Sequence, residues 1–207
     1  MKNMMALITA LIMAFQLPFS AQAVEVAPFV GHRYGGNFED NTTAATFNVA
    51  DAADYGLIFD FDSAPEKQIE IFLSRQPTHI TTAGLLTGSP LFGLTIDYYH
   101  IGGLYMLPVE ERMHSLMHPF ITGTIGLTRM APDRPDLATE NHLSLSLGGG
   151  AKFFLARNLG LRFDVRAIYT MLNSDTSIFC SGGCTVKVFS NNGFVQTEAA
   201  AALTMRF

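Results

Sequence analysis

The charged side chains of this 207-residue chain could form a network of buried ion pairs. An acidic group occurs early in the sequence and a mainly basic group occurs late. Side chains of opposite sign facing each other across an enclosed space can pair, provided that hydrogen bonds satisfy their remaining polar atoms. The acidic group is Glu25, Asp60, Asp62, Glu70 and Asp97, and the later group is Lys152, Arg162, Asp164, Arg166 and Arg206.

Eight segments that alternate between apolar and polar residues would have to position these side chains. In the segment from Leu159 to Met171, the odd-numbered residues are apolar, whereas the even-numbered ones include Arg162 and Asp164. Period-two alternation places the two kinds of residue on opposite faces of a β-strand. In the fourth segment it predicts that Asp97 faces inward and assigns the following residues to the outside: Leu94, Ile96, Tyr98, Leu104 and Met106.

The last segment, from Thr197 to Phe207, shows the same alternation and ends on an aromatic residue. A strand of about 9–11 residues can cross a bilayer only within a closed barrel, where every backbone polar group is paired. The sequence therefore predicts an all-β fold, an eight-stranded antiparallel transmembrane barrel in an up-and-down meander. Acidic and basic residues would then line opposite walls of its lumen.

The start of the chain predicts export. Lys2 is followed by an apolar stretch and by Ala21-Gln22-Ala23, a small-x-small cleavage site. Residues 1–23 are thus predicted to be a cleavable signal peptide, and residues 24–207 a single barrel domain. A membrane anchor is the alternative, but Gln16 and Pro18 interrupt the apolar stretch.

Composition is consistent with this interpretation. Charged residues make up 15% of the chain, against about 25% in soluble domains. No later segment offers the roughly 18 consecutive apolar residues of a membrane helix. The net charge of −5 and the absence of a basic patch argue against nucleic-acid binding.

The predicted connections alternate between short and long. Bacterial barrels keep short turns in the periplasm and long loops outside, so both termini should be periplasmic. The last loop contains Ser190-Asn191-Asn192-Gly193, which favours a hairpin above the membrane. Short turns are predicted at 63–67, 107–116 and 156–158, and long loops at 35–53, 76–92, 131–141 and 173–196.

Cys180 and Cys184 are the two cysteines of the chain. An exported protein meets an oxidising compartment, so we expect a disulfide between them that stiffens the last loop. Metal binding by two cysteines alone is the weaker alternative.

The chain resembles the small Gram-negative outer-membrane β-barrels, the OmpA-like and OmpX-like group often called the porin family. The residues that carry the resemblance are Ala21-Gln22-Ala23, the eight alternating segments and the terminal pattern Leu203-x-Met205-x-Phe207. The terminal pattern looks like the signal that such proteins present to the barrel-assembly machinery. The resemblance implies location in the outer membrane and no residue-specific activity.

A lipid-modifying enzyme is the remote alternative. His142 and Ser144 form a His-x-Ser pair like that of an outer-membrane lipid A deacylase. Nucleophilic catalysis needs a base bonded to the serine and a group that orients the base. Both side chains are predicted to face the lumen rather than the acyl chains, and no acidic residue follows them within the segment. We therefore predict no catalytic, cofactor or metal residues.

The sequence supports a non-enzymatic outer-membrane barrel with a polar, largely plugged lumen and a structural or surface-interaction role. A narrow gated pore for ions or small solutes is the second hypothesis, because the same lumen charges could form its path. The expected partners are outer-membrane lipid, lipopolysaccharide and, during insertion, the barrel-assembly machinery. We expect a monomer.

Overall fold

The computed structural model describes residues 24–39, 46–82, 90–108, 117–172 and 193–207. The predicted signal peptide, Cys180, Cys184 and the predicted hairpin of the last loop lie outside these residues. Within the described ranges there is no helix long and apolar enough to cross a membrane. The strands are β1 Val24–Tyr34, β2 Asn37–Glu39, β3 Thr46–Val49, β4 Ala52–Ala64, β5 Lys67–Thr82, β6 Pro90–Met106, β7 His118–Pro132, β8 Glu140–Ala156, β9 Leu159–Thr170 and β10 Phe194–Arg206.

Eight of these strands close into an antiparallel barrel, which confirms the predicted fold. β1 pairs with both β4 and β10, and the pairing of β5 with β6 closes the sheet. Cross-strand partners followed once around the barrel lead from Val24 to Tyr34, ten residues farther along β1. An eight-stranded barrel has an interior just wide enough for side chains to fill.

The barrel has two different ends. The turn end carries Val24, Phe207 and the connections from β4 to β5, β6 to β7 and β8 to β9. The loop end carries the other connections. There, β2 and β3 form a short hairpin, and β3 extends the sheet by pairing with β5. This hairpin belongs to the first loop, where the sequence pattern did not indicate one.

The outer surface of the barrel is apolar over most of its area. Along β9, Leu161, Phe163 and Val165 are exposed, whereas the alternating Arg162, Asp164 and Arg166 are buried. The same division holds along β8 and β10, and along β7 except at the exposed Arg129. A continuous apolar exterior around a polar interior is the arrangement of a barrel that faces lipid.

The predicted facing of β6 is wrong. Glu70 of β5 lies directly opposite Gly102, and directly opposed residues point to the same face of a sheet. The even-numbered residues of β6 therefore face the lumen, and Tyr99, Ile101 and Tyr105 are exposed outside. The residues that were assigned outward but are buried inside are Leu94, Ile96, Tyr98 and Leu104.

Candidate functional site

The lumen near the turn end holds an ionic network that we call the turn-end cluster. It contains four cationic and four acidic side chains, so its formal charges balance. The bases and Asp164 come from β8, β9 and β10, and the other acids come from β1, β4 and β5 on the opposite wall. The members are Lys152, Arg162, Arg166 and Arg206 with Glu25, Asp60, Glu70 and Asp164.

Lys152 crosses the lumen to reach three strands. Its ammonium donates hydrogen bonds to Glu25 Oε2 at 2.5 Å, to Asp60 Oδ2 at 2.7 Å and to Gln68 Oε1 at 2.8 Å. An ammonium has three donors and no acceptor, so these contacts use its full capacity. Lys152 is fully buried, and the three acceptors compensate its loss of water.

Arg162 is the most connected cation of the cluster. Its guanidinium donates to Asp60 Oδ2 at 2.7 Å, to Glu70 Oε2 at 2.5 Å and to Asp164 Oδ2 at 2.6 Å. The planar fork of arginine suits several carboxylates at once. The guanidinium also lies 4.6 Å from the ring centroid of Phe120, a cation–π contact that covers one face of the charge.

Arg166 and Arg206 extend the cluster in opposite directions. Arg166 donates to Glu70 Oε1 and Asp164 Oδ1, both at 3.3 Å, and stacks 4.0 Å from the Phe72 ring. Arg206 Nε donates to Glu25 Oε1 at 3.0 Å at the mouth of the lumen, where the Arg206 side chain is 37% exposed. Asp62 lies half-buried near this mouth and accepts from Gln68 Nε2 at 2.7 Å.

A second ionic group, the Arg33 cluster, lies nearer the loop end. Arg33 Nη2 donates to Asp54 Oδ2 at 2.9 Å, to Ser74 Oγ at 2.7 Å and to Glu198. Arg166 Nε lies 3.7 Å from Glu198 Oε1, which connects the two clusters.

The Arg33 cluster was absent from the predicted network. Sequence parity places Arg33 and Glu198 on inward faces, but their pairing depends on the register between the first and last strands of the barrel. Asp54, which directly follows the long loop predicted at 35–53, lies within β4 and is buried.

An apolar layer fills the lumen beyond the Arg33 cluster, and we call it the loop-end plug. Tyr98 marks the boundary, since its hydroxyl donates to Gln196 Oε1 at 2.7 Å and its ring lies 4.6 Å from the Arg33 guanidinium. The plug explains why β6 carries apolar residues on its inward face. Its buried members are Val49, Ile80, Leu94, Ile96, Met130, Leu172 and Phe194.

The predicted His142–Ser144 pair faces the lumen, but the two residues have different partners. Ser144 Oγ lies 2.8 Å from Nε2 of His100, and Nδ1 of that imidazole lies 2.9 Å from Thr124 Oγ1. His142 Nε2 lies 3.1 Å from Glu140 Oε2. The serine and His100 are buried. Among the described residues, no group of three metal-ligating side chains converges.

Asp97 does not belong to the lumen network, contrary to the sequence prediction. It lies on the outer surface of β6, where Arg75 of β5 and Arg129 of β7 are its direct cross-strand partners. Arg75 makes a bidentate contact with it, at 2.7 Å through Nε and 3.1 Å through Nη2. Arg129 Nη1 lies 4.0 Å away. The physical cause is the register of β5 and β6, which turns the odd-numbered residues of β6 outward.

Comparison with solved structures identifies the fold. Neisserial surface protein A matches with a TM-score of 0.61 and 12% identity over 89% of this chain and 99% of that protein. OprG from Pseudomonas aeruginosa matches with a TM-score of 0.59 and 11% identity over 90% and 95% of the two chains.

This protein has the fold of the small eight-stranded outer-membrane β-barrels. The outer membrane protein AlkL also matches this barrel, with a TM-score of 0.52 and 14% identity over 90% of each chain. No protein-family model matches the sequence, and no curated protein sequence does either. At these identities the comparisons establish architecture and leave the activity to be argued from the lumen and the surface.

Proposed function

We propose that the protein is a non-enzymatic, integral outer-membrane barrel with an occluded lumen and a structural or surface-interaction role. The observation that carries this proposal is that two different barriers lie in series along the lumen. The turn-end cluster joins opposite walls by hydrogen bonds of 2.5–2.8 Å around Lys152. The loop-end plug closes the other half with buried apolar side chains. With the short connections in the periplasm, the loops would face the exterior.

The arrangement of the lumen also supports the non-enzymatic part of the proposal. Ser144 and His100 are in hydrogen-bond contact, but 0% and 2% of their surfaces are exposed. A substrate could reach them only by displacing one of the two barriers. The group on the far side of the imidazole is a threonine hydroxyl. A hydroxyl stabilises an imidazolium poorly, whereas the carboxylate of a catalytic triad stabilises it well.

The charged lining favours a second candidate, a narrow gated pore. Asp60 and Glu70 face Lys152, Arg162 and Arg206, and the half-exposed Arg206 gives the cluster contact with the turn-end mouth. Rearranged ion pairs could then open a polar path through this half of the lumen. In this candidate the loop-end plug would also have to move, which is why we place it second.

Single-channel recording tests the choice between the two candidates. The protein would be refolded into planar lipid bilayers, with its heat-modifiable migration on gels as a check of folding. We expect no discrete current steps from the wild type and none from Arg162→Ala, because the loop-end plug remains. Adding Met130→Gly and Ile96→Gly to Arg162→Ala should produce steps by removing both barriers. Discrete steps in the wild type would contradict an occluded lumen and favour the pore.

The partners expected from the sequence remain part of this proposal. The apolar outer surface supports contact with outer-membrane lipid and lipopolysaccharide. The strands of one chain close the barrel without a second copy, which favours a monomer. Leu203, Met205 and Phe207 are proposed as the signal for the barrel-assembly machinery. Leu203 of β10 and Phe207, the residue that follows β10, are 42% and 75% exposed, so another protein could contact them.

A further inference from the structure

We propose that Arg75 and Arg129 form a binding site for the phosphate of an outer-leaflet glycolipid, on the outer wall of the barrel at its loop end. This inference rests on the proposed location in the outer membrane. It concerns a set of residues that we call the outer arginine site, namely Arg75, Asp97 and Arg129. Lipopolysaccharide is the class of ligand to which we assign the site, since its phosphates lie directly above its acyl chains.

The first argument is the isolation of these charges. Among the described residues of the barrel strands whose side chains face outward, the formally charged ones are these three and Lys67 at the turn end. The three lie on adjacent strands in direct register. A charge on the lipid face of a barrel is costly near the midplane and becomes tolerable toward the interfaces. Three charges at one spot therefore indicate a local anionic or aqueous environment.

The second argument is the charge and donor balance of the site. Asp97 is 4% exposed, whereas the side chains of Arg75 and Arg129 are 50% and 46% exposed. One arginine would be enough to neutralise this carboxylate, so the second leaves a net positive charge. The bidentate contact of Asp97 fixes the Arg75 guanidinium, and the 4.0 Å approach of Arg129 leaves most of its donors directed elsewhere. Fixed guanidinium donors with net positive charge suit a phosphate.

The third argument is the level of the site on the barrel. Arg129 lies three residues before Pro132, the last residue of β7, whereas β5 and β6 continue for seven residues beyond Arg75 and Asp97 toward the loop end. Tyr55 lies directly opposite Arg75, and Tyr99 is the next outward residue on β6. Both tyrosines are about half exposed, at 52% and 45%, as in the aromatic belts at membrane interfaces.

The surface below the site fixes the nature of the ligand. Ile101 and Leu127 are the exposed outward residues on the turn-end side, at 54% and 50%. A ligand that contacts both the outer arginine site and these apolar residues must place an anion at the arginines and hydrocarbon on their turn-end side. This is the chemistry of a phosphorylated lipid, and the extracellular position of the loop end selects the outer leaflet.

Lipid retention measured by native mass spectrometry tests the inference. The refolded protein would be released from detergent micelles containing diphosphoryl lipid A, dephosphorylated lipid A or phosphatidylglycerol. The test variant is Arg75→Gln/Arg129→Gln. The matched control is Lys67→Gln/Arg134→Gln, which removes two exposed cations elsewhere. Heat-modifiable migration would confirm that each variant has folded.

We expect the test variant to retain diphosphoryl lipid A about thirtyfold more weakly than wild type, since each of the two arginines near such a surface contributes about 1 kcal/mol. The control variant should match wild type, and dephosphorylated lipid A should be retained weakly by all three proteins. If the double variant misfolds, Arg129→Gln alone retains the Arg75–Asp97 contact and still removes part of the binding.

Two results would overturn the inference. Equal retention by the wild type and the folded double variant would show that the arginines only neutralise Asp97. Retention of phosphatidylglycerol as strong as that of lipid A would contradict the assignment to the outer-leaflet glycolipid. Neither result changes the single-channel test of the occluded lumen, so failure of this inference is distinguishable from failure of the proposed function.

Discussion

The two halves of the lumen are closed by opposite kinds of chemistry. The turn-end half contains four cations and four carboxylates whose contacts join opposite walls of the barrel. The loop-end half is packed with aliphatic, methionine and phenylalanine side chains. Removing one partner of a buried ion pair strongly destabilises a protein, because the other charge is left buried and unpaired. The stability of apolar packing depends mainly on the side-chain volume that a substitution removes. The two halves should therefore respond differently to substitution.

The largest effect is expected from Arg162→Ala. This change leaves Asp60, Glu70 and Asp164 without their shared guanidinium in a buried position. Removing one partner from a buried ion pair lowers the free energy of unfolding by about 3–5 kcal/mol. Urea unfolding in detergent or lipid would measure the loss. A change of less than about 1 kcal/mol would mean that the cluster contributes no more than an exposed ion pair.

Phe163→Arg tests the boundary between lumen and lipid at the next residue. Arg162 is fully buried in the lumen, and Phe163 is 49% exposed on the outer wall. An arginine on the lipid face costs about 2–4 kcal/mol near the bilayer midplane. We expect poorer insertion into vesicles, measured as the folded fraction on unheated gels, whereas Phe163→Leu should insert normally. Equal insertion of Phe163→Arg and Phe163→Leu would contradict the facing of β9.

Met130→Ala examines the apolar half. The Met130 side chain is fully buried in the loop-end plug, and shortening it leaves a cavity. We expect the free energy of unfolding to fall by about 2–3 kcal/mol, the lower end of the range for such changes. Met130→Leu conserves volume and should cost less than about 1.5 kcal/mol. Unfolding in urea separates the two. If both variants are equally destabilised, the plug depends on the shape of Met130 rather than on its volume.

The sequence was sufficient to predict the eight barrel strands, but neither the β2–β3 hairpin nor the facing of each strand. In β9, Arg162 and Phe163 alternate so clearly that parity and facing are both evident. In β6, one face contains the even-numbered Leu94, Ile96 and Tyr98, and the other contains the odd-numbered Tyr99 and Ile101. Both faces therefore contain apolar or aromatic residues. Period two shows which residues share a face, and only the register with β5 shows which face is inside. The incorrect inward placement of Asp97 follows from this ambiguity.

The parts of the site that escaped prediction depend on contacts between distant segments. Arg33 and Glu198 are 165 positions apart and meet because β1 pairs with β10 in one particular register. Composition contains no record of that register. The loop-end plug was missed for a related reason, since an apolar residue on a barrel strand is normally assigned to lipid. Inside this lumen the same residue type packs against its equivalents from other strands.

The smallest effect on stability is expected at an ion pair outside the barrel wall. Arg134 and Asp136 contact each other at 2.6 Å in the loop between β7 and β8, and each side chain is 52% exposed. The hydrogen bond from Arg134 lowers the pKa of the Asp136 carboxyl below its ordinary value. Because this pKa is depressed in the folded state, any stabilisation is present above the unfolded pKa and is lost as the pH falls through the folded value.

Arg134→Gln should therefore return the pKa of Asp136 toward its ordinary value, as measured by NMR titration of the carboxyl carbon. Its unfolding in urea at neutral pH should match that of the wild type, because solvent screens so exposed a pair. Arg162→Ala, which removes the same kind of side chain from the enclosed turn-end cluster, is the matched comparison. A large loss of stability for Arg134→Gln would contradict our view of why Arg162→Ala is so destabilising. In that view the cause is the burial of the turn-end cluster and not the pairing of opposite charges as such.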